Sequence, residues 1–69
     1  MMHNIITQHN YIIPFSGPIV FGIQDIYIYI NGHQYILGTY STKQRIIEVL
    51  NDMVEKFTNG IEFYTMPEK

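Results

Sequence analysis

The chain predicts an α+β fold, a small, mainly antiparallel β-sheet with one long helix packed on one face, in the order β-β-(β)-β-β-α-β. Three observations predict it. Residues 25–40 hold two runs of β-branched and aromatic residues around Asn31-Gly32. Asn-Gly suits a two-residue hairpin turn, because both residues tolerate positive φ. Residues 43–57 then carry apolar side chains at helical spacing, and residues 61–65 close the chain with a short strand pattern. Sixty-nine residues make one domain, 1–69.

Taken in order, Ile5-Ile6-Thr7 and Tyr11-Ile12-Ile13 flank a turn at Gln8-His9-Asn10, which reads as a first hairpin. Pro14 ends it or sets it at a sheet edge, since proline offers no ladder donor. Phe15-Ser16-Gly17-Pro18 reads as a loop, and Ile19-Val20-Phe21 as a short strand. The Asn31-Gly32 turn then sets the register of the central hairpin: Ile30 faces His33, Tyr29 faces Gln34, Ile28 faces Tyr35, Tyr27 faces Ile36 and Ile26 faces Leu37. One face carries Ile26, Ile28, Ile30, His33, Tyr35 and Leu37; the other carries Tyr27, Tyr29, Gln34, Ile36 and Gly38. A sheet with one solvated face alternates apolar with polar residues, and neither face here does so. The face of Tyr27, Tyr29 and Ile36 is therefore expected to be covered by another subunit or a ligand.

The helix is expected from about Thr42 to Thr58. Ser41 with Gln44 three residues on fits a capping box, with Thr42 as a rival cap. Ile46, Ile47, Val49, Leu50, Met53, Val54 and Phe57 form the apolar stripe, with Ile46, Leu50, Met53 and Phe57 expected to be buried; Arg45, Glu48, Asp52, Glu55 and Lys56 lie opposite. Asn59-Gly60 supplies the left-handed stop. In the last strand Ile61, Phe63 and Thr65 share one face, Glu62 and Tyr64 the other.

Composition narrows the function classes. There is no cysteine, so disulfides and thiolate metal sites are excluded. His3, His9 and His33 have no ligand spacing, and neither a metal nor a cofactor is expected. So small a domain buries little surface, which makes a homo-oligomer the expected route to stability. From residue 1 to 42 the only charged side chain is Asp25; the other nine lie at residues 43–69. A net charge of −2 argues against bulk nucleic-acid binding. No apolar run approaches the eighteen or so residues of a membrane span. Met1-Met2-His3 lacks the basic start of a secretory leader, so a cytoplasmic protein is expected. No phosphate loop, dinucleotide fingerprint or zinc signature is present. The only serines are Ser16 and Ser41, and Ser41 already has a capping role. A non-enzymatic protein is expected.

Short segments along most of the chain resemble one family. Ile5-Ile6-Thr7-Gln8 with Pro14 beyond it, the junction Leu37-Gly38-Thr39-Tyr40-Ser41-Thr42 followed by Arg45 and Glu48-Val49-Leu50, and the ending Phe63-Tyr64-Thr65-Met66-Pro67-Glu68 are similar to small proteins of Gram-positive bacteria, their prophages and phages. The resemblance implies a mobile-element origin, and so the cytoplasm expected is that of a bacterial host; small phage proteins of this size are often inhibitors of host defence, which makes counter-defence the expected context.

The junction into the helix offers the most chemistry. A helix N-terminus presents unpaired N–H groups and a positive dipole end. Ser41 and Thr42 add hydroxyls, Lys43 and Arg45 add charge, and Tyr27, Tyr29, Tyr35 and Tyr40 offer stacking surfaces. Together Tyr27, Tyr29, Tyr40, Ser41, Thr42, Lys43 and Arg45 form the candidate site for a small anionic, nucleotide-like signalling molecule, sequestered by a homo-oligomer. The alternatives are a protein-binding inhibitor of a host defence effector, using the tyrosine face, and a structural homo-oligomer with no ligand.

Overall fold

The computed structural model describes residues 3–69. Met1 and Met2, on which the reading of the leader partly rested, lie outside the described residues. The strands are β1 (Asn4–Ile6), β2 (Ile12–Pro14), β3 (Ile19–Phe21), β4 (Asp25–Ile30), β5 (His33–Thr39) and β6 (Phe63–Thr65), and the helix α1 (Lys43–Thr58) lies between β5 and β6. The architecture is α+β as expected, but the strands divide into two three-stranded sheets, β2-β1-β6 and β3-β4-β5.

The central hairpin forms at the Asn-Gly signal. Asn31 and Gly32 both take positive φ, 52° and 81°, the pair of conformations a type I′ turn needs. From this turn the register runs as expected as far as Tyr27 opposite Ile36. It then slips: Ile26 pairs with Gly38, not with Leu37. Leu37 is the extra residue of a bulge, which turns both Ile26 and Leu37 inward, where both are buried. Gly38, placed on the outer face by strict alternation, is also buried; a Cβ there would meet the Tyr40 ring at 3.0 Å and the Gln8 side chain at 3.1 Å.

The other sheet joins the two ends of the domain. β1 pairs antiparallel with β2 and parallel with β6, Ile5 opposite Tyr64. Met66 extends this pairing by donating its N–H to the Ile6 carbonyl at 2.9 Å. The inward residue of β6 is Tyr64, while Phe63 is exposed.

Thr42 caps the helix. Its hydroxyl accepts from the Arg45 N–H at 3.1 Å, so the rival of Ser41 holds the capping position. At the other end Gly60, at φ 93°, donates to the Phe57 carbonyl, and Ile61 reaches back to that of Lys56. This pair of bonds satisfies two carbonyls that the last turn would otherwise leave open. Ile46, Val49, Met53 and Phe57 are buried in one core with Ile5, Ile26, Ile28, Leu37, Tyr40, Tyr64 and Met66. Leu50 is only partly buried, and Ile47 and Val54 are exposed. The buried line is thus narrower than the apolar stripe: Ile46, Val49, Met53 and Phe57 share the core with Ile5 of β1, Ile26 and Ile28 of β4 and Tyr64 of β6, and the flanks of the helix stay open. No helix among the described residues is long and apolar enough to cross a membrane.

Candidate binding surface

The seven residues expected to form one site fall into two places. Alternation along β4 separates them first. Ile26 and Ile28 point into the core with the helix, so Tyr27 and Tyr29 point to the opposite, outer face of β3-β4-β5. Tyr40 goes the other way. It is only 2% exposed, and its hydroxyl donates to the Pro67 carbonyl at 2.7 Å. A ring so enclosed offers no face for a ligand to stack on. Burial pushes its phenol above the ordinary value.

At the start of α1 the polar groups are partly engaged already. The Thr42 hydroxyl accepts from the helix backbone. The Arg45 guanidinium donates to the Lys69 carbonyl at 2.8 Å, pairs with Glu48 at 3.2 Å, and lies 6.0 Å from the centroid of the Tyr40 ring. Ser41 and Lys43 are exposed beside it. Arg45 therefore ties the helix start to residues at the end of the sequence. An incoming phosphate would have to compete with a carboxylate and a carbonyl for it.

The outer face is built differently. β3 and β5 flank β4, with Val20 and Ile36 both opposite Tyr27, and Gln34 opposite Tyr29. Val20 is 45%, Tyr29 36% and Ile36 50% exposed. The Tyr29 hydroxyl donates to the Gln34 amide oxygen at 2.9 Å, which links the two side chains across β4 and β5. Asp25 closes one end of this face. Its carboxylate accepts from the hydroxyls of Tyr27, at 3.2 Å, and Thr39. Alternation puts Asp25 on this face, and its one carboxylate is held at the margin. The bond to Asp25 raises the Tyr27 phenol above its ordinary value.

A second feature had no local signal in the sequence. A cleft of about 580 Å³ runs beside β5, lined by Thr7, His9, Tyr11, Ile12 and Ile13 from the first hairpin and by Gln34, Tyr35 and Ile36. Its far wall is positioned by Gln8. The Gln8 N–H donates to the Leu37 carbonyl at 3.0 Å. Its side-chain oxygen accepts from the Thr39 N–H at 2.8 Å, and its amide nitrogen donates to the Pro67 carbonyl at 2.9 Å. One side chain so links the β1–β2 turn, β5 and the residues after β6. Buried Thr7 shapes that turn by accepting from the N–H groups of His9 and Tyr11. Ile36 belongs to both the cleft and the outer face, which makes them continuous.

The histidines stay apart in character. His3 packs 4.7 Å from the Phe57 ring and its Nδ1 lies 3.0 Å from the Ile61 carbonyl, while His33 lies against Tyr35 beside the hairpin turn. Among the described residues no cluster of three or more His, Asp or Glu side chains could hold a metal ion. Comparison with protein-family models, with curated proteins and with solved structures gave no match.

Proposed function

We propose that this is a non-enzymatic binding protein, a phage or prophage accessory acting in the cytoplasm of a bacterial host, whose working surface is the outer face of β3-β4-β5. The partner we infer is a host protein, a defence effector whose activity is blocked when this face covers it. The observation that carries the reading is the contiguous patch of exposed Val20, Tyr29 and Ile36 around half-buried Tyr27. Tyrosine is enriched among the residues that dominate protein interfaces, because it brings a large apolar area with one polar tip. The counter-defence role rests on the small size and the mobile-element origin that the family resemblance implies, and on no motif. The test compares host-cell proteins retained by the wild type and by the Tyr27→Glu/Tyr29→Glu variant at matched folding. A stoichiometric host protein lost on substitution supports the reading; a protein retained equally by both contradicts it.

A second reading is sequestration of a nucleotide-like molecule. It now rests on Tyr27 and Tyr29 as stacking surfaces, with the Gln34 amide held between them and the free edge. The helix start with Ser41, Thr42, Lys43 and Arg45 lies on the other side of β4. Calorimetry with cyclic oligonucleotides and cyclic ADP-ribose isomers tests it. Micromolar or tighter binding lost in Tyr29→Ala supports it, and silence across the set removes it.

A further inference from the structure

We infer that two copies of this chain pair edge to edge through β5, and that the cleft beside β5 is the seat of the second copy's strand. This goes beyond the partner proposed above and does not depend on it. Four strands stand at sheet edges, β2, β3, β5 and β6, and they are not alike; β6 is only three residues long, with Pro67 two residues beyond it. β2 ends in Pro14, which has no donor, and β3 is three residues long and follows directly on Pro18. Both are devices that blunt an edge. β5 has seven residues, with neither proline nor charge. Gln8 covers its end at Leu37 and Thr39, so the open part is the segment 33–36.

The direction of the backbone groups there follows from the turn. In a two-residue hairpin the residues flanking the turn exchange hydrogen bonds, and every second pair after them does so too. Ile30 with His33 and Ile28 with Tyr35 are those pairs. The Tyr29 N–H confirms the alternation, since it donates away from β5, to the Pro18 carbonyl at 3.1 Å. The N–H and C=O groups of Gln34 and Ile36 therefore point out of the sheet, along the cleft.

This edge is complementary to itself. In an antiparallel pair centred on Tyr35, Gln34 stands opposite Ile36 of the second copy, and Ile36 opposite Gln34 of the second copy. About four backbone hydrogen bonds then form with none left over. A two-fold axis demands such self-complementarity of one patch. The walls suit the same occupant. Tyr11 is 70%, Ile12 62%, Tyr35 42% and Ile36 50% exposed, and an uncharged strand enters without stripping water from an ion. At about 150–250 Å² per aromatic side chain, these four expose on the order of 400 Å² per copy. The strand backbone and Gln34 add to this, against the roughly 800 Å² per partner of a standard interface. The result is one continuous six-stranded sheet with two tyrosine faces side by side.

The experiment joins mass with amide exchange on the full chain at about 100 µM. Sedimentation equilibrium should give twice the mass of one chain. Exchange measured by NMR should show Gln34 and Ile36 protected along with His33 and Tyr35, which are already paired with β4. Gln34→Pro removes the outward donor, together with the exposed side-chain acceptor of the Tyr29 hydroxyl, and leaves the ladder to β4 intact; it should restore the single-chain mass and speed exchange at Ile36 by about tenfold or more while leaving Tyr35 slow. If Gln34→Pro loses its far-UV spectrum, Tyr35→Lys, which sets two like charges across the axis, takes its place with the same expected mass. A single-chain wild type overturns the proposal, as does a dimer with Gln34 and Ile36 unprotected. Protection that appears only when host-cell extract is added gives the edge to a foreign strand and overturns it as well.

Discussion

β4 has two faces made of similar residues and put to different uses. On the inner face Ile26 and Ile28 are wholly buried against α1, Leu37 and Ile5. On the outer face, one residue out of phase, Tyr29 stands in solvent with Val20 and Ile36, and Tyr27 is half-buried. Both faces are apolar in the sequence. They differ in what the rest of the chain brings to them. The helix, β1 and β6 converge on the inner face. Around the core the polar atoms are matched, as where Tyr64 donates to Asp52 at 2.7 Å. Of the patch on the outer face only Tyr27 is half-buried, with Gly22 beside its ring. The only polar anchors of this face are the Tyr29–Gln34 bond and the Asp25 carboxylate at the margin. Apolar character alone therefore does not mark a core. The core is where elements distant in sequence meet, and the apolar face left over is where recognition is expected.

The largest effects should separate the two faces by stability. Ile28→Ala and Ile46→Ala should each cost about 2–5 kcal/mol in urea unfolding, because each removes a fully enclosed side chain. Leu50→Ala should cost less, about 1–2 kcal/mol, since its site is only partly enclosed. Equal losses at Ile46 and Leu50 would mean that the helix is rotated about its axis from the orientation described.

A smaller effect sharpens the polar side of the core. The Tyr64 hydroxyl, and after it Lys56, holds the Asp52 carboxyl below the usual carboxylate value. A carboxylate lowered in the folded state stabilises it above the unfolded value of about 3.9, and that contribution is lost as pH falls through the folded value. Tyr64→Phe should therefore reduce stability at pH 7 by about 1 kcal/mol and flatten the acid limb of the stability profile below about pH 4. An acid limb unchanged in Tyr64→Phe would contradict the assigned cause.

On the outer face the order reverses. Tyr29→Ala should change folding stability by no more than about 1 kcal/mol, yet it should remove the binding partner. A loss as large as that of Ile28→Ala would make the tyrosine face structural. The smallest effect is expected at Arg45→Ala. Its ion pair with Glu48 is exposed on both sides, and such pairs are worth about 0–1 kcal/mol.

Much of the fold was legible because its signals are local. Asn31-Gly32 fixed the central hairpin, Ser41-Thr42 and Asn59-Gly60 the ends of α1, with the cap at Thr42, one residue beyond the Ser41 of the expected capping box, and Pro14 the end of β2. What could not be read came from contacts far apart in sequence. The bulge at Leu37 lies where Gln8 and Tyr40 crowd Gly38. The split into two sheets follows from β1 pairing with β6, across most of the chain. Met66, just past the last strand, enters the core because β1 carries that pairing one residue further. The candidate site divided for the same reason. Sequence proximity put Tyr40 beside Ser41, Thr42 and Lys43, and the fold turned its ring inward onto Pro67. Gln8, the residue that joins three parts of the molecule, looks in the sequence like one polar residue of a turn.

The most direct measurement is hydroxyl-radical footprinting of the protein in host cells against the purified, dilute chain. Two exposed apolar patches compete in it: Tyr29 and Ile36 on the outer sheet face, and Ile47 and Val54 on the open flank of α1. Recognition through the sheet predicts that oxidation of Tyr29 and Ile36 falls in cells while that of Val54 is unchanged. Protection of Ile47 and Val54 with Tyr29 and Ile36 still reactive would place the working surface on the helix and contradict the account.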